Sequence, residues 1–509
     1  MNADVIVVGA GPTGLMLASE LRLAGVRTVV LDRRPQFGDI GKSNALVGQI
    51  LQLLQFRGLL ERLEAASPGS GHSASGYPFG NVYLHFTGLA DPPMGMPLPQ
   101  PLLERLLDER ARELGGDIRR GHELVGLGQD DAGITADVDG PDGCSRMTAR
   151  YVVGCDGPRS KVRDLAGIPF PGAACPEVNR LAQVTLIDST IQLDNGDLDV
   201  PGVGRIHPGF TPTERGVFAF APNNLKPGVL GIQTTEDERI DVDDDAPLTL
   251  VEFQDSIRRV LGAPLPVGDA TRLTRYRLHA RQAERYRDKR ILLAGDAAHQ
   301  FPATGIGLGV GMLDAVNLAW KVAADIHGWA PAGLLDTYHD ERHFAGARAM
   351  LQTQAQLALR RGRDQAARAL REVVQELLVD EQPLRRLGAL IAGTDIRYPL
   401  PNPNQHALTG AFTPDLTLNI ERGTTSVAEL TRTARPILLD LADRTDLRTT
   451  ARDWLQRIDI HSAETEDRPA DALLIRPDAH IAWAATSDEP TETAVVALRK
   501  ALSDWFGTP

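Results

Sequence analysis

Cysteine is almost absent: three thiols, Cys144, Cys155 and Cys175, are spread over 509 residues. At those spacings they make neither a disulfide framework nor a metal-ligand pattern. Aromatic residues are 5% of the chain, and 54 Lys plus Arg face 67 Asp plus Glu, a net charge of −13. That deficit of positive charge argues against gripping a phosphate backbone, so no nucleic-acid partner is expected. No apolar run is long enough to span a bilayer, and the N-terminus lacks the basic and apolar regions of a signal peptide. The expectation is a cytoplasmic protein with no membrane partner, monomeric or homodimeric. The rest is an ordinary globular balance, 42% hydrophobic and 24% charged, in a chain too long for one core. Two or three domains follow.

The first forty residues read as one βαβ unit. Asp4 to Val8 and Val26 to Leu31 are β-rich apolar runs that suit buried parallel strands, with a helix over Leu15 to Ala24 between them. A second helix is expected over Leu98 to Leu114, a strand pair over Asp117 to Asp139, and another buried strand over Ala149 to Cys155. After Ile168 the composition shifts. Pro169 to Tyr276 carries strand-like runs (Ala182 to Ile187, Gly216 to Ala221, Val229 to Thr234) and turn signals, which suits an inserted, mostly antiparallel sheet. The acidic run Glu236 to Asp245 lacks a cation-loop pattern and reads as a solvated loop. Arg290 to Ala294 returns to a buried strand, followed by a glycine-rich loop, a helix from Met312 and helical pattern from Leu334 to Ala392. Pro399, Pro401 and Pro403 mark a linker. Strands at Ile437 to Leu441, Ile458 to His461, Ala472 to Ile475 and His480 to Ala485 then indicate a small α/β unit.

Three segments carry chemistry. Gly9-Ala10-Gly11-Pro12-Thr13-Gly14 has GxGxxG spacing, a strand before it, a helix after it and Asp32 at the end of the next strand. Gly9 permits the tight turn, Gly11 lets backbone amides approach a pyrophosphate, and Gly14 lets helix and strand pack closely. Asp32 would accept hydrogen bonds from a ribose diol and repel a 2′-phosphate, which favours FAD or NAD over NADP, although Arg33 and Arg34 could hold such a phosphate. The second segment, Tyr151 to Arg163, is a buried strand ending in Asp156-Gly157 before a helix start. The third, Ile291 to His299, delivers Gly295-Asp296 in the same way, where a carboxylate suits a polyol such as the ribityl chain of a flavin. Pro302 and the glycines 305, 307, 309 and 311 follow it, offering backbone amides to a negatively charged oxygen.

These three segments, in this order, resemble the class A flavoprotein monooxygenases, the para-hydroxybenzoate hydroxylase group. Leu335 to Arg342 is similar to that group's helix after the third motif. Leu474 to Trp483 resembles the thioredoxin-like domain of its aromatic polyketide hydroxylases and rifampicin monooxygenases, here without any CxxC and therefore without redox function. The resemblance implies an α/β architecture: a Rossmann-like FAD-binding domain (1–170 and 277–398, the latter with long helices), an inserted substrate-binding sheet domain (171–276) and a thioredoxin-like domain (399–509). The C-terminal unit is expected to serve packing or association.

By similarity, Thr13 and the glycine turn hold the pyrophosphate, and Asp32 with Arg33 holds the adenosine end of FAD. Gln100 sits near the ribityl chain and Leu124 meets the adenine through its backbone. Asp156 is linked to both FAD and a transient NADPH or NADH. Gly295 and Asp296 hold ribityl hydroxyls, Pro302 lies against the isoalloxazine, and the amides around Gly305, Leu308 and Gly309 face the pyrimidine. Lys42 and Gln49 stand where the family commonly has arginines; Lys42 keeps the charge without the planar fork and Gln49 loses it. Ile306, Gly309 and Val310 replace Gln, Asn and Thr of the usual loop, leaving it more apolar and, with glycine, freer. His299 reads as structural, Cys155 as buried and unreactive, and Trp320 and Trp483 as packing residues. The implied function is an FAD-dependent, NAD(P)H-consuming monooxygenase that hydroxylates a polycyclic, polyketide-type aromatic with dioxygen through a C4a-peroxyflavin. No catalytic side chain is assigned, because a phenol supplies its own electron density. Baeyer–Villiger oxygenation of the same substrates and a non-catalytic flavin-binding role are the alternatives.

Overall fold

Val5–Val8 is buried at all four positions and pairs in parallel register with Thr28–Asp32 on one side and Tyr151–Gly154 on the other. Apolar on both faces, these strands can only lie inside a sheet covered by helices. The computed structural model describes residues 3–38, 43–69, 76–188, 191–222, 228–236, 246–302, 305–362, 364–400, 406–421, 423–487 and 489–509. In it the sheet has six strands, in the order Arg287–Asp288, Ile291–Leu293, Tyr151–Gly154, Val5–Val8, Thr28–Asp32 and Asp117–Arg120. The helices Pro12–Leu23 and Gly307–Ile326 pack on it and on each other.

The run Asp117 to Asp139 is not one strand pair. Gly121, at φ 72°, breaks it, so Asp117–Arg120 becomes the edge of the parallel sheet. Glu123–Gln129 and Ile134–Gly140 form a separate antiparallel sheet with Gly143–Ala149. The expected strand from Ala149 likewise divides at Arg150, where both the Arg150 and Tyr151 amides turn to the Asp4 carbonyl.

The inserted sheet is antiparallel throughout, in the order Gly209–Thr213, Gly216–Pro222, Leu230–Glu236, Val178–Leu186, Val267–Tyr276. One face packs Ala182, Val184, Phe218, Phe220 and Ile232 against a helix over Leu250–Leu261. Sequence reasoning passed over that helix. Its signals were present: Thr249 caps the Glu252 amide, Phe253, Ile257 and Val260 make the apolar stripe, and Gly262 closes it at φ 82°. Glu236 is no solvated loop residue. It is buried, and its carboxylate accepts from Arg180, Ser256 and Arg259. The rest of that acidic run, 237–245, lies outside the described residues.

Helices Thr337–Arg360, Gln365–Leu377 and Glu381–Ala392 fill the expected helical region. The C-terminal unit has a four-stranded sheet, ordered Asp459–Ser462, Ile437–Asp440, Ala472–Ile475, Ile481–Ala485, with Thr491–Phe506 packed on it. It shares its core with the first domain: Leu418, Val427, Ile437 and Ile481 are continuous with Val5–Val8. A buried fork also ties the two, Arg57 holding the Glu20 carboxylate while donating to the Thr431 and Pro477 carbonyls at 3.1 and 2.6 Å. Trp320 and Trp483 are buried as packing residues. Among the described residues no helix is long and apolar enough to cross a membrane, and no acidic, His or Cys group could hold a metal ion.

Candidate active site

The three motifs meet around Thr13. A Cβ on Gly295 would stand 2.7 Å from Thr13 Oγ1, and one on Gly311 would stand 2.6 Å from the same atom and 2.9 Å from Gly295 Cα. The glycines of the first motif differ in what surrounds them. A Cβ at Gly9 would lie 2.3 Å from the Cys155 carbonyl oxygen and one at Gly14 1.9 Å from that of Gly9, whereas one at Gly11 meets nothing within 4 Å. Gly9 and Gly14 are therefore required by packing, and Gly11 by open space above it. The helix Pro12–Leu23 starts at Gly11 without a side-chain cap, so its first amides and the positive end of its dipole face that space.

Asp32 is nearly buried. Its Oδ2 accepts from the Ala10 amide and its Oδ1 from the Arg34 amide, each at 2.8 Å. Burial pushes its carboxyl up, but the Arg34 hydrogen bonds and charge, with the Ala10 amide, outweigh this and hold it below the usual carboxylate range. The cation beside Asp32 is Arg34, with guanidinium contacts of 3.2 Å to both oxygens, while Arg33 points to solvent. Gln100 opens the helix Gln100–Glu113 and donates to Glu104 at 2.8 Å, whose carboxylate lies 3.9 Å from Arg34. Leu124 is buried where the strand register slips between Leu124 and Gly126, next to the His122 amide that donates to the Asp32 carbonyl. The slip leaves backbone groups outside the ladder there.

Asp156 is engaged by protein: its oxygens accept from Ser160 Oγ at 2.5 Å and from the Lys161 and Val162 amides at 2.7 and 3.1 Å. It caps the helix Lys161–Leu165 jointly with Ser160. Arg163 then joins the second motif to the third by donating to the Ala297 carbonyl at 3.2 Å. Cys155 is buried, and burial pushes its thiol far above its ordinary value.

In the third motif, Gly295 turns at φ 64° into a short helical turn that presents Asp296. The Asp296 carboxylate is half-buried and has no partner among the described residues; its Oδ1 faces Gly307, where a Cβ would come within 3.6 Å. The helix expected from Met312 begins instead at Gly307, so Leu308 and Gly309 lie in its first turn rather than in a loop. No side chain caps it, and its first backbone bond runs from the Val310 amide to the Ile306 carbonyl, which leaves the Gly307, Leu308 and Gly309 amides without intrahelical partners beside Asp296. Gly309 is buried with its Cβ position 3.2 Å from Ile50, so close packing, not backbone freedom, accounts for glycine there. Gly305, at φ 92°, is exposed, and Pro302 is buried beside Phe301, whose ring stacks on His299. Lys42 lies outside the described residues. Gln49 is buried at the start of the helix Gln49–Phe56 and borders a cavity of about 320 Å³ with Gln52, Asp91 and Arg385.

His299 Nε2 donates to the Asp314 carboxylate, 2.7 Å away, and Asp314 also accepts from the Gly295 amide at 3.0 Å and from Arg342 at 2.7 Å. Sequence reasoning missed Asp314 and Arg342. The signal was an acidic residue inside an apolar helix, with Asn317 and Lys321 on the same face. On the inserted sheet, the face away from its helix is polar: Asn179 Oδ1 accepts from Thr235 at 2.8 Å and from Gln233 at 3.3 Å, and Tyr276 reaches Gln233 at 3.4 Å. The Asn179 Nδ2 is buried without a partner among the described residues.

The donor set fits FAD. Two uncapped helix starts suit a diphosphate and an electron-rich ring edge, and two carboxylates suit a ribose and a ribityl chain. Residues 2–353 match the family model described as FAD binding domain, and residues 406–509 match that described as aromatic-ring hydroxylase, C-terminal. The chain is 39% identical over 520 residues to 12-dehydrotetracycline 5-monooxygenase/anhydrotetracycline 6-monooxygenase of Streptomyces rimosus subsp. rimosus, covering 100% of both chains. It is 37% identical to rifampicin monooxygenase of Streptomyces venezuelae, over 99% of this chain and 98% of that one. The solved structure of anhydrotetracycline hydroxylase from Streptomyces rimosus superposes with a TM-score of 0.87 at 38% identity, over 100% of both chains.

Proposed function

We propose, from the premise that the chain belongs to the class A flavoprotein monooxygenases of the aromatic-ring hydroxylase type, that it hydroxylates a polycyclic, polyketide-type aromatic at the expense of NAD(P)H. FAD is its cofactor. The observation that carries the reading is the meeting of Asp296, whose carboxylate has no partner among the described residues, with two uncapped helix starts where Gly295 and Gly311 close on Thr13.

When bound, FAD supplies the redox chemistry: two electrons from NAD(P)H pass to dioxygen, one atom of which enters the substrate while the other leaves as water. The chain's residues position and shield. The Thr13 and Gly14 amides would hold the pyrophosphate, Asp32 would take the ribose with Arg33 and Arg34 at the adenosine end, and Leu124 would offer its backbone to the adenine. Gln100 and Asp296 take the ribityl hydroxyls beside Gly295. The Leu308 and Gly309 amides would stabilise negative charge on the pyrimidine edge, and Pro302 and Gly305 would border the ring. Asp156 acts as the cap that fixes the second turn, beside which the nicotinamide binds transiently. The polar face of the inserted sheet, with Asn179, Gln233 and Tyr276, orients the oxygens of the substrate; no general base is required, since a phenol brings its own electron density.

The test is turnover of tetracyclic phenols and quinones by the purified yellow protein with NADPH and isotopically labelled dioxygen. One labelled hydroxyl per product is expected. A labelled ring-expanded lactone would replace this reading with Baeyer–Villiger oxygenation, and products without label would remove oxygenation altogether.

A further inference from the structure

Two buried polar clusters meet on neighbouring residues of the Thr337–Arg360 helix. Arg342 serves the first. Its guanidinium donates to Asp314 at 2.7 Å, to the Tyr398 hydroxyl at 2.8 Å and to the Val310 carbonyl, in the first turn of the Gly307–Ile326 helix, at 3.1 Å. Asp314 in turn holds the Gly295 amide, the residue before Asp296. Glu341 serves the second. It takes a two-pronged contact from Arg476 of the C-terminal domain at 2.6 and 2.7 Å, and it also accepts from Lys321 at 2.8 Å and Asn317 at 2.6 Å. Asp478 closes the second cluster by accepting from Arg476 Nε at 3.0 Å and Asn317 at 2.7 Å.

The clusters also touch directly. Tyr398 stacks on His480 with centroids 4.1 Å apart, and the Arg476 guanidinium lies 5.4 Å from the Tyr398 ring. The six charged groups balance: Lys321, Arg342 and Arg476 against Asp314, Glu341 and Asp478, all of them buried. Buried charges tolerate few geometries, because each lost contact leaves an uncompensated ion. Fixing Glu341 from the C-terminal side therefore fixes the rotation of the helix that carries Arg342.

We infer that Arg476 is a positioning residue for the Gly295–Asp296 turn, so that the C-terminal domain shapes the FAD site through a buried polar network. The inference rests on the FAD reading above. In it, Arg476 acts through Glu341, Tyr398 and Arg342 on Asp314.

The experiment measures the FAD dissociation constant of the full chain by fluorescence titration, with apoprotein melting recorded in parallel. Arg476→Met should weaken FAD roughly tenfold, within the usual span of site-to-site coupling, and Arg476→Lys should recover part of the loss. In an Asp314→Asn background the same change should add little, because the path is already cut. Arg457→Ala, which removes hydrogen bonds to the Phe506 and Thr508 carbonyls within the C-terminal domain, should lower melting without changing FAD affinity. Should Arg476→Met not fold, Tyr398→Phe leaves every charge paired and should weaken FAD by about threefold. Wild-type affinity in a folded Arg476→Met or Tyr398→Phe, or losses that multiply in the Asp314→Asn background, overturns the inference. Failure of the wild type to bind FAD overturns the cofactor reading instead.

Discussion

Gly11 and Gly14 stand three residues apart in one motif, yet replacing each with alanine should do opposite things. Gly11 has an ordinary backbone (φ −82°, ψ −179°) and open space where its Cβ would be. Gly11→Ala changes stability by about 1 kcal/mol or less, since a slightly poorer cap is offset by a stiffer unfolded chain. On the FAD placement proposed above, however, its methyl group would occupy the open space at Gly11 that the pyrophosphate takes. Losing one charge-assisted hydrogen bond to an amide is worth about 1.5–3 kcal/mol, so FAD affinity should fall roughly ten- to hundredfold. Gly14→Ala gains about 1 kcal/mol of helix propensity, but its Cβ would sit 1.9 Å from the Gly9 carbonyl oxygen. Helix and strand must separate, and the net loss should reach about 2 kcal/mol or more. Apoprotein melting and FAD titration on both variants separate the two effects. A Gly11→Ala protein that binds FAD as tightly as wild type, or a Gly14→Ala protein that melts with it, would refute the assignment of space to one and contact to the other.

Asp296→Ala should leave apoprotein melting unchanged, because its carboxylate has no partner among the described residues, while weakening FAD at least tenfold for one lost charged hydrogen bond; a drop in melting without loss of affinity would make Asp296 structural. Burial holds the His480 imidazole down at about 4, against 6.5 in the unfolded chain. Between those values the unfolded chain binds more protons, so stability is complete above pH 6.5 and is lost as pH falls toward 4. This group should make the protein about 2 kcal/mol less stable at pH 5 than at pH 7.5, and His480→Gln should flatten that part of the melting profile; parallel profiles for both proteins would refute it.

The motifs were legible because their signal is local. GxGxxG, the Asp-Gly and Gly-Asp turns and the four C-terminal strands each depend on residues a few positions apart, and the structure places them within a residue or two of expectation. Arg34 rather than Arg33 reaches Asp32 because the chain leaves the strand end in a turn, a direction that adjacent arginines do not encode. Gly309 reads as loose loop in a glycine-rich stretch, but the Ile50 side chain against it comes from 259 residues earlier. The Asp314–Arg342–Tyr398 chain spans 84 residues, so only tertiary packing brings it together. The helix Leu250–Leu261 was readable from its capping box and was overlooked beside the acidic run that precedes it.

Glu341 and Arg342 are joined by a single peptide bond, one facing the C-terminal domain and the other the cofactor groove. That adjacency constrains how this architecture can be recombined. A crossover near Pro399 would import a foreign C-terminal unit at a natural linker, yet part Arg476 and Asp478 from Lys321 and Glu341, whose charges they balance, and from Asn317, which donates to Asp478. A working chimera must therefore carry the 307–360 helices with its C-terminal sheet, which makes the heritable module of this protein different from the one its linker suggests.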